Sequence, residues 1–179
     1  MFVRTLAYLG FLFAKMQFRS DVETPQPFSD FLKDARNVLI TMPVGYEEAV
    51  CAGDALAEFR HRLSHLHLTV VHSSTRATSL INFPQCEVIR MDPEDINRFS
   101  LPRTALLKRI FTRQFDVAID FNLDFVLHTA YICKASRAKV RVGFMHEASD
   151  LFYNVQLKFK KHRTPQALYD KFAACLAMF

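Results

Sequence analysis

The carboxylates Asp116 and Asp120 bracket the apolar string Val117-Ala-Ile119 within Phe115 to Phe121. A carboxylate at the carboxyl end of a strand in an α/β sheet faces the crevice where such sheets bind ligands, and one at the strand's start does not. Asp120 is therefore the candidate for acid–base work, with a helix cap or bonds to nearby amides as its structural alternative. Glu47 and Glu48 follow the loop Pro43-Val44-Gly45-Tyr46. Either could take a proton there, and both also suit the first turn of a helix, where acids favour the positive end of the dipole.

Other chemistries have less support. His61, His65 and His67 are close in sequence, but no carboxylate or cysteine completes a set of three or four ligands, so no metal is expected. Cys51, Cys86, Cys133 and Cys175 form no C-x-x-C pair, and three of them lie in apolar or periodic runs where a buried thiol is usual. That usage fits a reducing cytoplasm. No serine or cysteine stands beside an identifiable histidine and acid, which leaves covalent hydrolase chemistry without a nucleophile. With only four glycines and no Gly-Lys-Ser/Thr, neither G-x-G-x-x-G nor a phosphate-cradling loop can be written, and no cofactor is expected.

The net charge of +5 favours anionic neighbours without naming one. Arg103, Lys108, Arg109 and Arg113 form one basic cluster, and Lys158, Lys160, Lys161 and Arg163 another. No recognition helix or RNA-binding motif accompanies them, so nucleic acid is not expected. Together with an apolar N-terminal segment they suit an anionic lipid surface better.

The elements that must position these groups alternate regularly. A chain of 179 residues, half of them apolar, corresponds to one globular domain. Residues 1–19 read as an amphipathic helix in which Phe2, Leu6, Leu9, Phe13 and Met16 share a face. That face is expected to rest on the domain, on a partner chain, or on the inner face of a membrane. Its apolar run is about half a membrane span, and no small-residue cleavage site follows it. Residues 20–27, with two prolines, read as a linker, and the domain proper as residues 28–179. Ser29 can cap a short helix to Arg36. Strands are then expected at 37–43, 67–73, 86–91, 115–121, 139–144 and 151–159. Helices fall at 47–63, at 93–113 with an interruption at Ser100 and Pro102, at 124–135, and from Pro165 to the end. Alternation of this kind predicts an α/β fold, a doubly wound, mainly parallel Rossmann-like sheet of about six strands with helices on both faces. Its crevice should lie beside Val44, Gly45 and Tyr46 after the first strand and beside Asp120 and Asn122 after the fourth.

Phe115-Asp-Val-Ala-Ile-Asp120 followed by a helix, then Ala138-Lys-Val-Arg-Val-Gly143-Phe144, then Phe152-Tyr153 opening a strand, resembles the N-terminal domain of glycosyltransferase family nine. These are the bacterial lipopolysaccharide heptosyltransferases of GT-B fold, and the likeness runs from about Asn37 to the C-terminus. It implies a bacterial protein and an acceptor-binding half-fold, and it adds Gly143 of the "R-x-G-F" string to the expected crevice. Two departures bear on activity. The family's first strand leads into a Leu-Gly-Asp loop whose Asp is the catalytic base, and here the similar string is Val44-Gly45-Tyr46-Glu47, with a phenol of ordinary pKa near 10 at the base position. The nucleotide-sugar donor of the family is bound mostly by a second domain, and this sequence ends at a helix resembling the one that leads into it.

The expectation is thus a catalytically degenerate relative of the acceptor-binding domain that acts as a binding or interaction module, its small-molecule ligand unspecified. The alternatives are half of a transferase completed by another chain, or a small hydrolase using Asp120 with Glu47.

Overall fold

The structure, a computed structural model, describes residues 2–21, 31–62, 64–73, 86–159, 164–176 and 178, with the backbone alone for 2–4 and 59–62. Among the described residues there are six strands: β1 (Asn37–Thr41), β2 (His67–His72), β3 (Cys86–Arg90), β4 (Val117–Asp120), β5 (Val140–Phe144) and β6 (Val155–Leu157). Five helices accompany them: α1 (Phe2–Gln17), α2 (Tyr46–Arg62), α3 (Thr104–Ile110), α4 (Leu127–Ala135) and α5 (Pro165–Leu176). All five strand pairings are parallel, in the order β3-β2-β1-β4-β5-β6. The doubly wound expectation is met. Parallel strands need crossovers of helical length, and covering both faces explains why Val38, Leu39 and Ile40 in β1 and Val117, Ala118 and Ile119 in β4 are apolar without alternation and fully buried.

The side chains sort onto two layers by the period of two. Val38, Ile40, Val117, Ile119 and Val142 point toward α2 and α5, where Leu56, Tyr169 and Phe172 close that core. Leu39, Val71, Ile89 and Ala118 point to the opposite face, which α3, α4 and α1 cover. Strand order reverses between β1 and β4, so their carboxyl ends splay the following loops apart.

Several boundaries differ from expectation for local reasons. β4 begins at Val117 because the Asp116 carboxylate turns back to accept the amides of Arg36 (2.9 Å) and Asn37 (3.0 Å). The interrupted helix at 93–113 is a single 3₁₀ turn at Pro93–Asp95 and then α3, separated by a turn in which Asn97 Oδ1 accepts the amides of Phe99 and Leu101. β6 is shorter than its alternation implied. Ser149 closes a turn by donating to the Phe144 carbonyl and accepting the His146 amide, and Phe152 and Tyr153 are then both buried in succession. The cap at Ser29 and most of the expected linker lie outside the described residues.

Of the places open to the Phe2, Leu6, Leu9, Phe13 and Met16 face, the domain is not the one that Leu9, Phe13 and Met16 meet, because α1 docks through another face. Gly10, Ala14 and the following Phe18 are buried, and Phe18 packs on Tyr131 and Phe152 at ring-centroid distances of 5.1 and 6.5 Å. A Cβ on Gly10 would collide with the Phe99 carbonyl oxygen, so glycine permits the close approach. Leu9, Phe13 and Met16 face solvent. The helix is apolar around most of its circumference, so the face picked out by periodicity is one of two apolar faces, and the domain takes the other.

Candidate functional site

The loop between β1 and α2 and the loop between β4 and α4 face each other across the strand-order reversal. They line a cavity of about 570 Å³ bounded by Val44, Gly45, Tyr46, Glu47, Glu48 and Asn122, with Asp124 and Val126 completing its wall. Val44, Gly45, Tyr46, Glu47 and Asn122 thus lie together on one wall. Tyr46 is half exposed, at 50%. The loop turns sharply enough that α2 begins at Tyr46 itself, with Glu47 and Glu48 in its first turn.

Asp120 and Gly143 are not on this wall. Asp120 is 1% exposed and points toward α4, where three donors saturate it. Tyr153 Oη donates to Oδ2 at 2.6 Å, and the Asn122 amide (2.9 Å) and Nδ2 (2.6 Å) donate to Oδ1. Asn122 in turn accepts the Val44 amide on Oδ1 at 3.1 Å, and its Nδ2 lies 3.3 Å from Thr129 Oγ1. The carboxylate thus orients Asn122, and Asn122 holds the crevice loop to the end of β4. Asp120 acts on the site through another residue. Glu47 borders the cavity while Asp120 does not, so the two share no reacting atom, and the expected acid–base pair is not assembled.

Gly143 serves the same anchor. A Cβ there would lie 2.7 Å from two carbons of the Tyr153 ring, so the bare strand lets the ring lie against β5 and reach Asp120. The expectation that Gly143 lines the crevice is corrected by this packing.

Burial pushes the Tyr153 hydroxyl well above the usual phenol range, and the neighbouring Asp120 adds to the shift, so the proton stays on the phenol and is donated to the carboxylate. Burial does the same to the Cys133 thiol, again with Asp120 adding, and an unionised buried thiol is a poor nucleophile. His128 is pushed down by burial, partly opposed by Asp120, and is neutral at physiological pH. At the cavity itself, partial burial and then the charge of Asp124 raise the Glu48 carboxyl above its ordinary value. Asp124 and Val126 are the lining residues that sequence reasoning missed; extending the crevice rule four residues past Asn122 would have found both.

A second cavity of about 780 Å³ adjoins the first at Asp124 and lies over the carboxyl ends of β5 and β6, with Phe144, His146 and Lys158 among its walls. Among the described residues no group of His, Cys, Asp or Glu is placed to hold a metal ion; the His61 side chain lies outside them. The first basic cluster is partly engaged within the fold, since Arg109 pairs with Asp95 at 2.5 Å and Arg113 with Glu87 at 3.0 Å. Lys160, Lys161 and Arg163 of the second lie outside the described residues.

No protein-family model and no curated protein sequence matches the chain. Solved structures do. The heptosyltransferase WaaC of E. coli, solved with ADP, superposes with a TM-score of 0.61 at 17% identity over 78% of this chain and 46% of its own. A glycosyl transferase of family 9 from Veillonella parvula superposes with a TM-score of 0.62 at 17% identity, covering 80% of this chain and 42% of its own. The fold is therefore glycosyltransferase-like, and the chain spans less than half the length of these structures.

Proposed function

We propose that the crevice between the β1–α2 and β4–α4 loops binds a neutral, hydroxyl-rich ligand of the sugar-acceptor kind and holds it without transferring a group. The observation that carries this reading is the chemistry of the wall. Glu47, Glu48 and Asp124 offer hydroxyl-accepting oxygens beside the exposed Tyr46 ring and Val44. Such a wall accepts sugar hydroxyls and stacks on a sugar ring, and it repels phosphates. Tyr46 stands where the resembled family carries its base, and a phenol does not take a hydroxyl proton at neutral pH. Asp120 is committed to three hydrogen bonds behind the wall.

Calorimetric titration with neutral mono- and disaccharides and with nucleotide sugars tests the proposal. Saturable sugar binding without donor consumption is the expected result, and turnover at ordinary enzyme rates would overturn it.

One observation favours a second reading, an active transferase half completed by another chain. The Glu48 carboxyl faces the cavity, and partial burial raises it above its ordinary value, in the direction that makes a carboxylate a better general base. In that case Glu48 would take the acceptor hydroxyl proton as the oxygen bonds to the anomeric carbon and the nucleoside diphosphate departs. Glu48→Gln separates the readings: it abolishes turnover in the second and changes sugar affinity only a few-fold in the first.

A further inference from the structure

The α1 helix turns five large apolar side chains to solvent: Tyr8, Leu9, Leu12, Phe13 and Met16, with Phe13 at 56% and Met16 at 75% exposed. Beyond this helix, only Val44, Tyr46, Met145 and Met178 are comparably exposed among the described residues, and they are dispersed. A contiguous apolar face on an otherwise well-buried domain marks a surface that something covers. The helix is anchored from behind by Gly10, Ala14 and Phe18, so this outer face is presented rigidly. No helix among the described residues is long and apolar enough to cross a membrane; α1, with 16 residues or roughly 24 Å, can instead lie along a surface.

Charge selects the occupant. The helix contains no acidic residue, and Lys15 and the following Arg19 stand exposed beside Leu12 and Met16. A groove of about 620 Å³ runs along this edge between Leu12, Met16, Lys15 and Arg19 on one side and Asp21 and Asp150 on the other. Asp21 is paired with Lys134 at 3.8 Å. An anionic headgroup layer over buried acyl carbons matches both the apolar face and the exposed Lys15 and Arg19 at its edge.

We infer that the exposed face of α1 seats the protein on an anionic lipid surface, with Leu9, Phe13 and Met16 entering the acyl boundary and Lys15 and Arg19 meeting the headgroups. This face lies on the α4 side of the sheet and is independent of the sugar-binding reading.

The test is co-sedimentation of the full chain with vesicles of phosphatidylcholine alone and with roughly 30% phosphatidylglycerol. Binding should appear on the anionic vesicles, weaken at high salt, and fall about tenfold or more for Phe13→Glu and for the pair Lys15→Glu with Arg19→Glu. Should Phe13→Glu lower the melting temperature, Met16→Glu asks the same question at a more exposed position. Three results would overturn the inference: no partition onto either vesicle, equal partition onto both, or a concentration-dependent dimer in sedimentation equilibrium that Phe13→Glu dissolves while vesicles capture nothing.

Discussion

Asp120 shows how one side chain can hold a site together without touching what binds there. Replacing it with Ala leaves the Tyr153 hydroxyl and the Asn122 amide without their buried acceptor, a loss expected to cost about 2–4 kcal/mol in urea denaturation, with Asp120→Asn costing less. The β1–α2 loop should loosen in parallel, seen as faster hydrogen exchange at the Val44 amide. Glu48 predicts a pH effect of definite sign. Its carboxyl is raised in the folded state, so the protonated form is favoured by folding, and the associated stability is present in acid and lost as pH rises through the raised value. Glu48→Gln should therefore be more stable than the parent at pH 7, with the difference shrinking toward pH 4; a parent equally stable at both ends of that range, relative to the variant, would remove the Glu48–Asp124 repulsion from the account. The crevice rule located Asp120 at the right end of the right strand. Its role was hidden because Tyr153, the donor that commits it, is 33 residues away in sequence, and no local pattern links the two.

Among the elements, β5 and α1 both depend on a missing side chain. Gly143→Ala should cost about 1–3 kcal/mol by pushing the Tyr153 ring off the strand. In a Tyr153→Ala background most of that cost should vanish, and a double-mutant cycle with no coupling would mean the ring is not what the glycine accommodates. For α1, Phe18→Ala is expected to destabilise by about 3–5 kcal/mol, because the ring is 8% exposed and seated between Tyr131 and Phe152. Chemical denaturation reads this directly; a change under about 1 kcal/mol would place the helix outside the cooperative unit. Strand positions in the sequence were legible because strands buried on both faces are short apolar runs with turn residues between them. The face of α1 was not legible, since Leu9 and Phe13 are as apolar as Ala14 and Phe18, and what decides the docking side is backbone closeness at Gly10. β6 misled for a related reason: the alternation from Leu151 to Phe159 starts inside a 3₁₀ turn, where the amides of Phe152 and Tyr153 donate to the Ser149 carbonyl.

At the scale of the whole molecule, the strand order carries a consequence for biosynthesis. β1 sits in the middle of the sheet, yet its partner β4 is made long after it, since Val38 pairs with Val117. A ribosome that has finished β3 has released a half-sheet with one raw, apolar border, and a helix α1 whose seat on α4 at Leu127–Ala135 has not yet been translated. Pairings separated so far along the chain close slowly, and half-formed parallel sheets are sticky while they wait. Nascent chains arrested near residue 110 should accordingly recruit holding chaperones through both surfaces at once. Chains arrested just beyond the end of α5 should release them, because the same late segment caps the open border and covers the inner side of α1 in a single event.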